Sequence, residues 1–276
     1  MIDDRLPRCI EHRVLGRPPH RWASVLLLVL VLLTSSESAA QIVNVQALFD
    51  DATAPLGASG GAELSLDWRT GSTNLLVARA LLMGQWRTER HTVLGVARGE
   101  YGFAQEQLIV SKFLEHLRYR YRFTEWLSGE TFVQHELDAF RRLRLRALVG
   151  AGPRFTLWSS ESARLTVGVA AMLEHEQLRN DGEPDAGTRA TDVRMSSYVL
   201  ARVKVLENIS FVETLYAQPL LTRLSDLRLL NETLLLVEAN KRVTFSTGLV
   251  LTYDTAPPAT VSKLDTQLRT ALGVRF

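Results

Sequence analysis

Three stretches in the middle of the chain carry charged residues at every second position and could therefore line a functional site. Such residues share one face of a β-strand. An acidic strand between two arginine strands should form ion pairs across both of its edges. The pattern predicts either an ion-paired, structural barrel interior or a charge-lined constriction whose surplus of arginine favours anions. The residues are Arg118, Arg120, Arg122, then Glu130, Gln134, Glu136, then Arg142, Arg144, Arg146.

The histidines beyond the first 40 residues offer little for catalysis. They fall on four different predicted strands, as His91, His116, His135 and His175. Nucleophilic catalysis needs a nucleophile and a base within hydrogen-bond reach, but the sequence has no His-Glu-x-x-His and no close His-x-Ser motif. We also predict no Gly-x-Ser-x-Gly nucleophile elbow. We therefore predict no catalytic residues, no metal site and no cofactor. An outer-membrane enzyme acting on lipid or peptide is the alternative.

A period of two from Ala62 onward predicts the elements that would position these charges. Its runs are longer than the five or six residues usual in soluble sheets, and match the roughly nine to eleven that a tilted strand needs to cross a bilayer. We predict a closed antiparallel transmembrane β-barrel of about 12 strands (10–12) over 61–276, rather than a soluble, lipid-binding β-sandwich. The strands are expected near 61–69, 74–86, 91–102, 110–123, 129–139, 142–157, 163–177, 192–206, 209–220, 226–238, 241–254 and 264–276.

The connections and the aromatic residues predict an orientation for this barrel. Barrels of the outer membrane alternate short periplasmic turns with longer outer loops, and the longest connections here, 179–191 and 255–263, fall on one side by parity. Trp86, Trp126 and Trp158 lie at or beside the short turns, which predicts an interfacial girdle. Phe276 ends an alternating apolar strand, a pattern that resembles the signal read by the barrel-assembly machinery. We expect that machinery and outer-membrane lipid as partners.

The N-terminal 40 residues predict an exported protein. The apolar run 25–33 is about half the length that a spanning helix needs, and Ser38 and Ala40 lie at −3 and −1 of a cut before Gln41. We predict a cleaved signal peptide over 1–40, with a short membrane anchor as the alternative. The segment 41–60 lacks a clear period and is expected to be a periplasmic strap or a plug.

The sequence beyond residue 40 argues against two classes of protein. After residue 40 the chain has 30 − 4 = 26 acids and 32 − 5 = 27 bases, which argues against nucleic acid as a partner. It has no stretch of about 18 apolar residues, so a helical inner-membrane protein is excluded. The one cysteine, Cys9, lies in the predicted leader, so no disulfide is expected.

Three landmarks carry a resemblance to a known family. They are Arg69-Thr-Gly-Ser-Thr-Asn-Leu, then Leu137-Asp-Ala-Phe-Arg-Arg-Leu-Arg-Leu-Arg with Gly150-Ala-Gly152, and then Tyr253-Asp-Thr-Ala-Pro-Pro leading through Lys263-Leu-Asp-Thr to Phe276. Their order and spacing resemble the salt-induced outer membrane proteins, a bacterial domain family of unknown function that includes YdiY-like proteins. Gly71-Ser-Thr replaces the usual Gly-Asn-Thr, and Pro153 predicts a bulge or local break. The resemblance implies an outer-membrane barrel and brings no site residues.

The sequence thus predicts a barrel with a polar, arginine-rich lumen in a Gram-negative type outer membrane. Two roles fit this interior: a narrow ion or solute pore, or a structural envelope component. A link to salt or osmotic stress is implied by the family's name alone.

Overall fold

Twelve antiparallel strands close into a barrel in the computed structural model, which describes residues 56–71 and 74–275. Each strand pairs with its neighbours in sequence, and β12 returns to β1. The predicted fold class is confirmed. The strands are β1 Gly57–Arg69, β2 Leu75–Arg87, β3 His91–Ala104, β4 Gln107–Arg122, β5 Leu127–Asp138, β6 Leu143–Ser159, β7 Ala163–Leu178, β8 Arg189–Leu206, β9 Ile209–Leu220, β10 Arg223–Glu238, β11 Val243–Asp254 and β12 Leu264–Arg275.

Alternation along each strand separates an apolar outer surface from a polar interior. On β4, Leu117 and Tyr119 are exposed, whereas His116, Arg118 and Arg120 between them are buried. Water-soluble folds bury their apolar face, and this barrel exposes it on every strand. Within the described residues, no helix is long and apolar enough to cross a membrane.

The two ends of the barrel differ in their connections. One end, called the turn end, has the short connections 88–90, 123–126, 160–162, 207–208 and 239–242. The opposite end, called the loop end, has the longest ones, 179–188 and 255–263. This parity agrees with the sequence prediction. Both β1 and β12 have their outermost residues, Gly57 and Arg275, at the turn end.

Close packing inside the barrel depends on two glycines. A Cβ at Gly168 would lie 2.1 Å from the ring of Tyr198, and a Cβ at Gly150 would lie 2.4 Å from the ring of Phe132. Because glycine has no Cβ, each ring can lie flat against the neighbouring backbone. The largest apolar cluster of the interior consists of Tyr198, Leu200, Val212, Tyr216, Leu230, Leu234 and Val250.

The β1–β12 seam is the shortest ladder of the barrel. Within the described residues it has three registered pairs, from Gly61 with Arg275 to Glu63 with Gly273. The β1–β2 ladder, by contrast, runs along the whole of both strands.

Several strand pairs contain register shifts, and two features of β6 bear on the sequence predictions. β6 has a bulge between Leu143 and Leu145, where it gains a residue relative to β7. Pro153 causes no bulge: the β6–β7 pairing stops at Ala151 and resumes at Arg154 with unchanged register, so only the ladder is interrupted. A proline has no N–H to donate there.

Several sequence predictions lie outside the described residues. These are the cleavage between Ala40 and Gln41, most of the segment 41–60, and the terminal Phe276. β1 begins at Gly57, so the last four residues of that segment belong to the barrel.

Candidate functional site

The structure places most of the predicted charged residues inside the barrel. Arg118 donates to Glu130 at 2.7 Å, and Arg146 lies 3.5 Å from Glu136. The acidic strand β5 therefore pairs with β4 on one edge and with β6 on the other, as expected for opposed charges. The buried members of the predicted set are Arg118, Arg120, Glu130, Gln134, Glu136, Arg142 and Arg146.

Two predicted residues are exposed, and a third, Arg142, is buried in the connection between β5 and β6 and not inside the barrel. Arg144 is exposed because the bulge at Leu143–Leu145 breaks the alternation, and Leu143 takes the buried position instead. The prediction that Arg142, Arg144 and Arg146 form one ladder is therefore wrong. Arg122 continues the row of Arg120 but is exposed at the turn end of β4.

Glu174 is the centre of a dense ion-pair network in the loop-end half. It accepts from Arg146 at 2.6 Å, from Arg194 at 3.1 Å and from Arg228 at 2.8 Å. Arg228 also donates to Asp254 on β11, so the network crosses the interior from β6 to β11. We call it the loop-end network; it consists of Lys112, Glu136, Asp138, Arg141, Arg146, Glu174, Glu176, Arg194, Asp226, Arg228 and Asp254.

The turn-end half carries a different group, rich in arginine. Glu130 accepts from both Arg118 and Arg120, at 2.7 and 3.3 Å. The guanidinium of Arg118 lies over the ring of Phe132 at 4.8 Å and 5.9 Å from the ring of Tyr198, which comes from β8. Strands four apart thus meet inside the barrel.

A third group lines the opposite wall, where the interior is open to solvent. Arg79 points inward yet its side chain is 49% exposed, and it lies 3.5 Å from Glu100 on β3. Its partner across the β1–β2 ladder is the small inward residue Ser65, and Ser246 on β11 is a second small residue of the same wall. We call this group the water-facing wall; its charged members are Glu63, Arg79, Arg98, Glu100, Glu232 and Arg269.

Three loops join above the loop end through Arg142, in a contact called the loop clasp. Its guanidinium makes two hydrogen bonds of 2.7 Å to Asp181, one to Asp185, and one of 2.8 Å to the carbonyl of Ala259. The Ala259 amide donates to Asp185 in return. Hydrogen bonds from Arg142 lower the pKa of Asp181 to about 2. The same contacts raise the pKa of Arg142, so the clasp is charged at neutral pH.

The histidines do not assemble a catalytic group. His91 bonds the Tyr119 hydroxyl on the outer surface, His116 bonds Gln134 inside, and His135 lies 3.6 Å from Glu115 outside. His175 bonds Thr191 near the loop end. Among the described residues, no group of three or more His, Cys, Asp or Glu side chains could hold a metal ion.

One stretch, Gly57-Ala-Ser-Gly-Gly61, has the Gly-x-Ser-x-Gly spacing of a nucleophile elbow, although no such elbow is predicted from the sequence. Such an elbow requires a sharp strand-to-helix turn. Here the motif lies within β1, and Ser59 accepts a hydrogen bond from Gln85. The serine is therefore part of the strand and not a presented nucleophile.

The three predicted girdle residues lie together at the turn end. Trp86, Trp126 and Trp158 are all exposed on the outer surface or in the adjoining turn. Trp126 stacks on Phe155, which belongs to the neighbouring strand β6.

Several interior residues were missed by the sequence prediction. Glu174, Arg194 and Arg228 lie on strands whose inward rows do not repeat one charge at three successive positions, so no charge ladder of the kind seen on β4 marked them. The sequence feature that could have identified them is their position in the alternation. Each lies on the inward row of its strand, as Arg194 does with Ser196 and Tyr198.

The sequence matches a family model described as "Protein of unknown function, DUF481" over residues 62–276. This match covers most of the chain, and the protein belongs to that family. No protein of curated function matches it.

Several solved structures are similar in fold. The NanC porin has 9% sequence identity and a TM-score of 0.49, with 80% of this chain and 99% of that chain covered. The COG4313 outer membrane channel from Pseudomonas putida F1 has 14% identity and a TM-score of 0.47, with 82% and 98% covered. The translocator domain of the autotransporter NalP from Neisseria meningitidis has 10% identity and a TM-score of 0.45, with 82% and 90% covered.

Proposed function

We propose that this protein is a narrow pore of the outer membrane for ions or small solutes. The observation that carries the proposal is the water-facing wall, where inward side chains remain accessible to solvent although they belong to a closed barrel. Arg79 is the clearest case, with about half of its side chain exposed inside. Charged groups that line a narrow passage replace part of the hydration of a passing ion.

The exposed apolar residues of the outer surface support the proposal that the barrel spans a bilayer. Leu64, Leu82, Leu117 and Leu268 are each more than half exposed on the outside, and exposed apolar side chains in this number are stable mainly against lipid or protein. The exposed tryptophans at the turn end fit the headgroup region. We assign the turn end to the periplasm, since short turns lie on that side in this class of barrel. Outer-membrane lipid, and the assembly machinery acting on the last strand, remain predicted partners.

The interior charges form two groups, and each group fits one of the two roles predicted from the sequence: a structural filling or a conducting pore. The loop-end network is buried and mutually paired, which suits a structural filling. In the water-facing wall the side chain of Arg79 is about half exposed, which suits conduction. We therefore place the path against β12, β1, β2 and β3, and not along the arginine ladder of β4.

Single-channel recording in planar bilayers tests the pore. The protein, shown to be folded by a heat-modifiable band on unboiled gels, should give conductance steps. Ser246→Trp puts a large side chain on the inward face of β11 and should reduce the step size. Phe245→Trp, on the outward face of the same strand, should leave it unchanged. A folded, inserted protein that gives no steps would overturn the pore.

A structural envelope component is the second candidate, because the loop-end network and the loop clasp fill and cover one half of the barrel. In this case the bilayer recordings would be silent, while deletion in the native host would sensitise cells to high salt or osmotic shock. The stress connection is a prediction from the family resemblance, and the deletion strain tests it independently of conductance.

A further inference from the structure

The outward rows of β4 and β5 carry a charged pair among apolar side chains. Glu115 and His135 are direct partners across the β4–β5 ladder, and their side chains are 58% and 41% exposed on the outer surface. Each is flanked along its strand by exposed apolar residues, which are Phe113 and Leu117 on β4 and Val133 and Leu137 on β5. A carboxylate in such surroundings is costly against acyl chains. The pair is therefore better accommodated against protein than against lipid.

The two side chains satisfy each other incompletely. The Nδ1 atom of His135 lies 3.6 Å from an oxygen of Glu115, which is longer than a good hydrogen bond. Glu213, an outward carboxylate on β9, is the contrast, because it accepts from Thr233 at 2.6 Å and also from Asn231. Its charge is hydrogen-bonded within its own sheet. Glu115 and His135, by contrast, keep acceptor and donor capacity for a further partner.

A groove of about 720 Å³ crosses the outer surface beside this pair. The ladder register sets its two walls, because successive outward rows run across β2–β5. One wall contains Ala97, Glu115 and His135, and the other contains Gly84, Gly95 and Leu117. The glycines have no side chain, so the surface is low there. Small residues of this kind let another protein surface approach closely within a membrane.

The charged pair is complementary to a second copy of itself. Copies of a barrel insert in one orientation, so the two-fold axis of a dimer in the membrane runs along the bilayer normal. Where this axis passes between β4 and β5, Glu115 of one copy faces His135 of the other, and both such contacts form together. An imidazole N–H can donate to a carboxylate whether or not the ring is protonated. One symmetric contact thus provides each side chain with a partner.

We infer that the outer surface of β4 and β5 is the interface of a two-fold symmetric dimer, in which Glu115 and His135 of the two copies pair reciprocally. Leu117 lies beside the axis, and the adjoining groove gives room for apolar side chains of the second copy. The inference rests on the proposed place of the barrel in a bilayer and does not depend on conduction.

Cross-linking in lipid vesicles tests the interface. In a Cys9→Ser background, Leu117→Cys places a thiol beside the proposed axis, and Leu249→Cys places one on β11, on the far side of the barrel. Oxidation with copper phenanthroline should join two copies that carry Leu117→Cys into a band of twice the mass. The control Leu249→Cys is also exposed on the outside and should stay monomeric. The difference should persist when lipid dilutes the protein.

Two charge variants, each also carrying Leu117→Cys, test the reciprocal pairing. Glu115→His gives a copy with two histidines, and His135→Glu gives a copy with two glutamates. Each alone should cross-link about tenfold less than its parent, because like side chains then meet across the axis. A mixture of the two should recover a mixed dimer, identified by a tag that lengthens one copy. Both variants lose the pair within the chain, so this recovery can come only from contact between copies.

Two results would overturn the interface: equal cross-linking of Leu117→Cys and Leu249→Cys, or a mixture that cross-links no better than either charge variant alone. A monomer whose charged pair meets lipid headgroups would give both results. The heat-modifiable band shows that each variant is folded. The outcome is separate from that of the pore, because a dimer without conductance steps would keep the interface and remove the pore, and a conducting monomer would do the reverse.

Discussion

A single carboxylate can stabilise several buried arginines in the barrel interior. Glu174 faces three arginines and is buried with them, so each guanidinium depends on its charge. The pairing partners lie up to 54 residues apart in sequence, as Arg228 and Glu174 do. One side chain on β7 thus connects that strand to β6, β8 and β10 from inside.

Glu174→Gln should therefore be strongly destabilising. The change leaves three buried guanidinium groups short of one negative charge, and breaking a buried ion pair costs about 3–5 kcal/mol. Urea unfolding in lipid vesicles measures the loss. Glu125→Gln, in the exposed turn between β4 and β5, serves as the control and should change the free energy of unfolding little. Equal effects of the two variants would show that the network is not holding the barrel together.

Gly168→Ala tests the packing of Tyr198. A methyl group would clash with the ring, so the strand or the ring must move, at about 1–3 kcal/mol. Gly84→Ala is the matched control, because a Cβ at Gly84 meets nothing within 4 Å. Unfolding midpoints of both variants give the answer, and a neutral Gly168→Ala would mean that the ring is not confined there.

At the scale of elements, the loop clasp links the β5–β6, β7–β8 and β11–β12 connections. Arg142→Gln should release all three, because one guanidinium makes the hydrogen bonds to Asp181, Asp185 and Ala259. Hydrogen exchange at the Ala259 amide and across 179–188 should accelerate. The exposed Arg144→Gln, two residues away, should leave exchange unchanged. Protection of Ala259 that survives Arg142→Gln would argue against the clasp.

Acid should open the same clasp only far below neutral pH. The pKa of Asp181 falls from 3.8 to about 2 in the folded protein, so its stabilising contribution is complete above the higher value and is lost as pH falls through the lower one. Exchange across 179–188, compared with Arg142→Gln at each pH, should stay protected down to about pH 4 and converge with the variant near the lower pKa. Convergence in mildly acidic buffer would contradict this assignment.

The elements also show where sequence alone is sufficient. Alternation predicted all twelve strands and the short turns, because a period of two is local information. It failed at Arg144, because the extra residue at Leu143–Leu145 shifts the residues before it to the other face of the strand. The amino-acid sequence gives no sign of this bulge. The pairs that join distant strands, such as Arg228 with Glu174, could not be predicted, because they depend on the curvature of the closed sheet. The same is true of the wall around Arg79.

The three turn-end tryptophans predict how deeply the barrel is inserted in the bilayer, with its turn end at the headgroup region. Variants that keep only Trp86, only Trp126 or only Trp158 should be quenched most strongly by the same brominated lipids, those with bromine near the headgroup, because amphipathic rings collect at that interface. Quenching that is strongest at the bilayer centre for any one of them would contradict the proposed orientation and depth.

The short β1–β12 seam has a kinetic consequence. Its three pairs join residues at opposite ends of the barrel sequence, as Gly61 and Arg275 are, whereas every other ladder joins consecutive strands. Closing so long a segment of chain has the largest entropic cost, and few hydrogen bonds offset it. The eleven other ladders can form progressively as hairpins, and the seam completes the cylinder last. The same residues should separate first when the protein unfolds, so a change that lengthens the seam should slow unfolding.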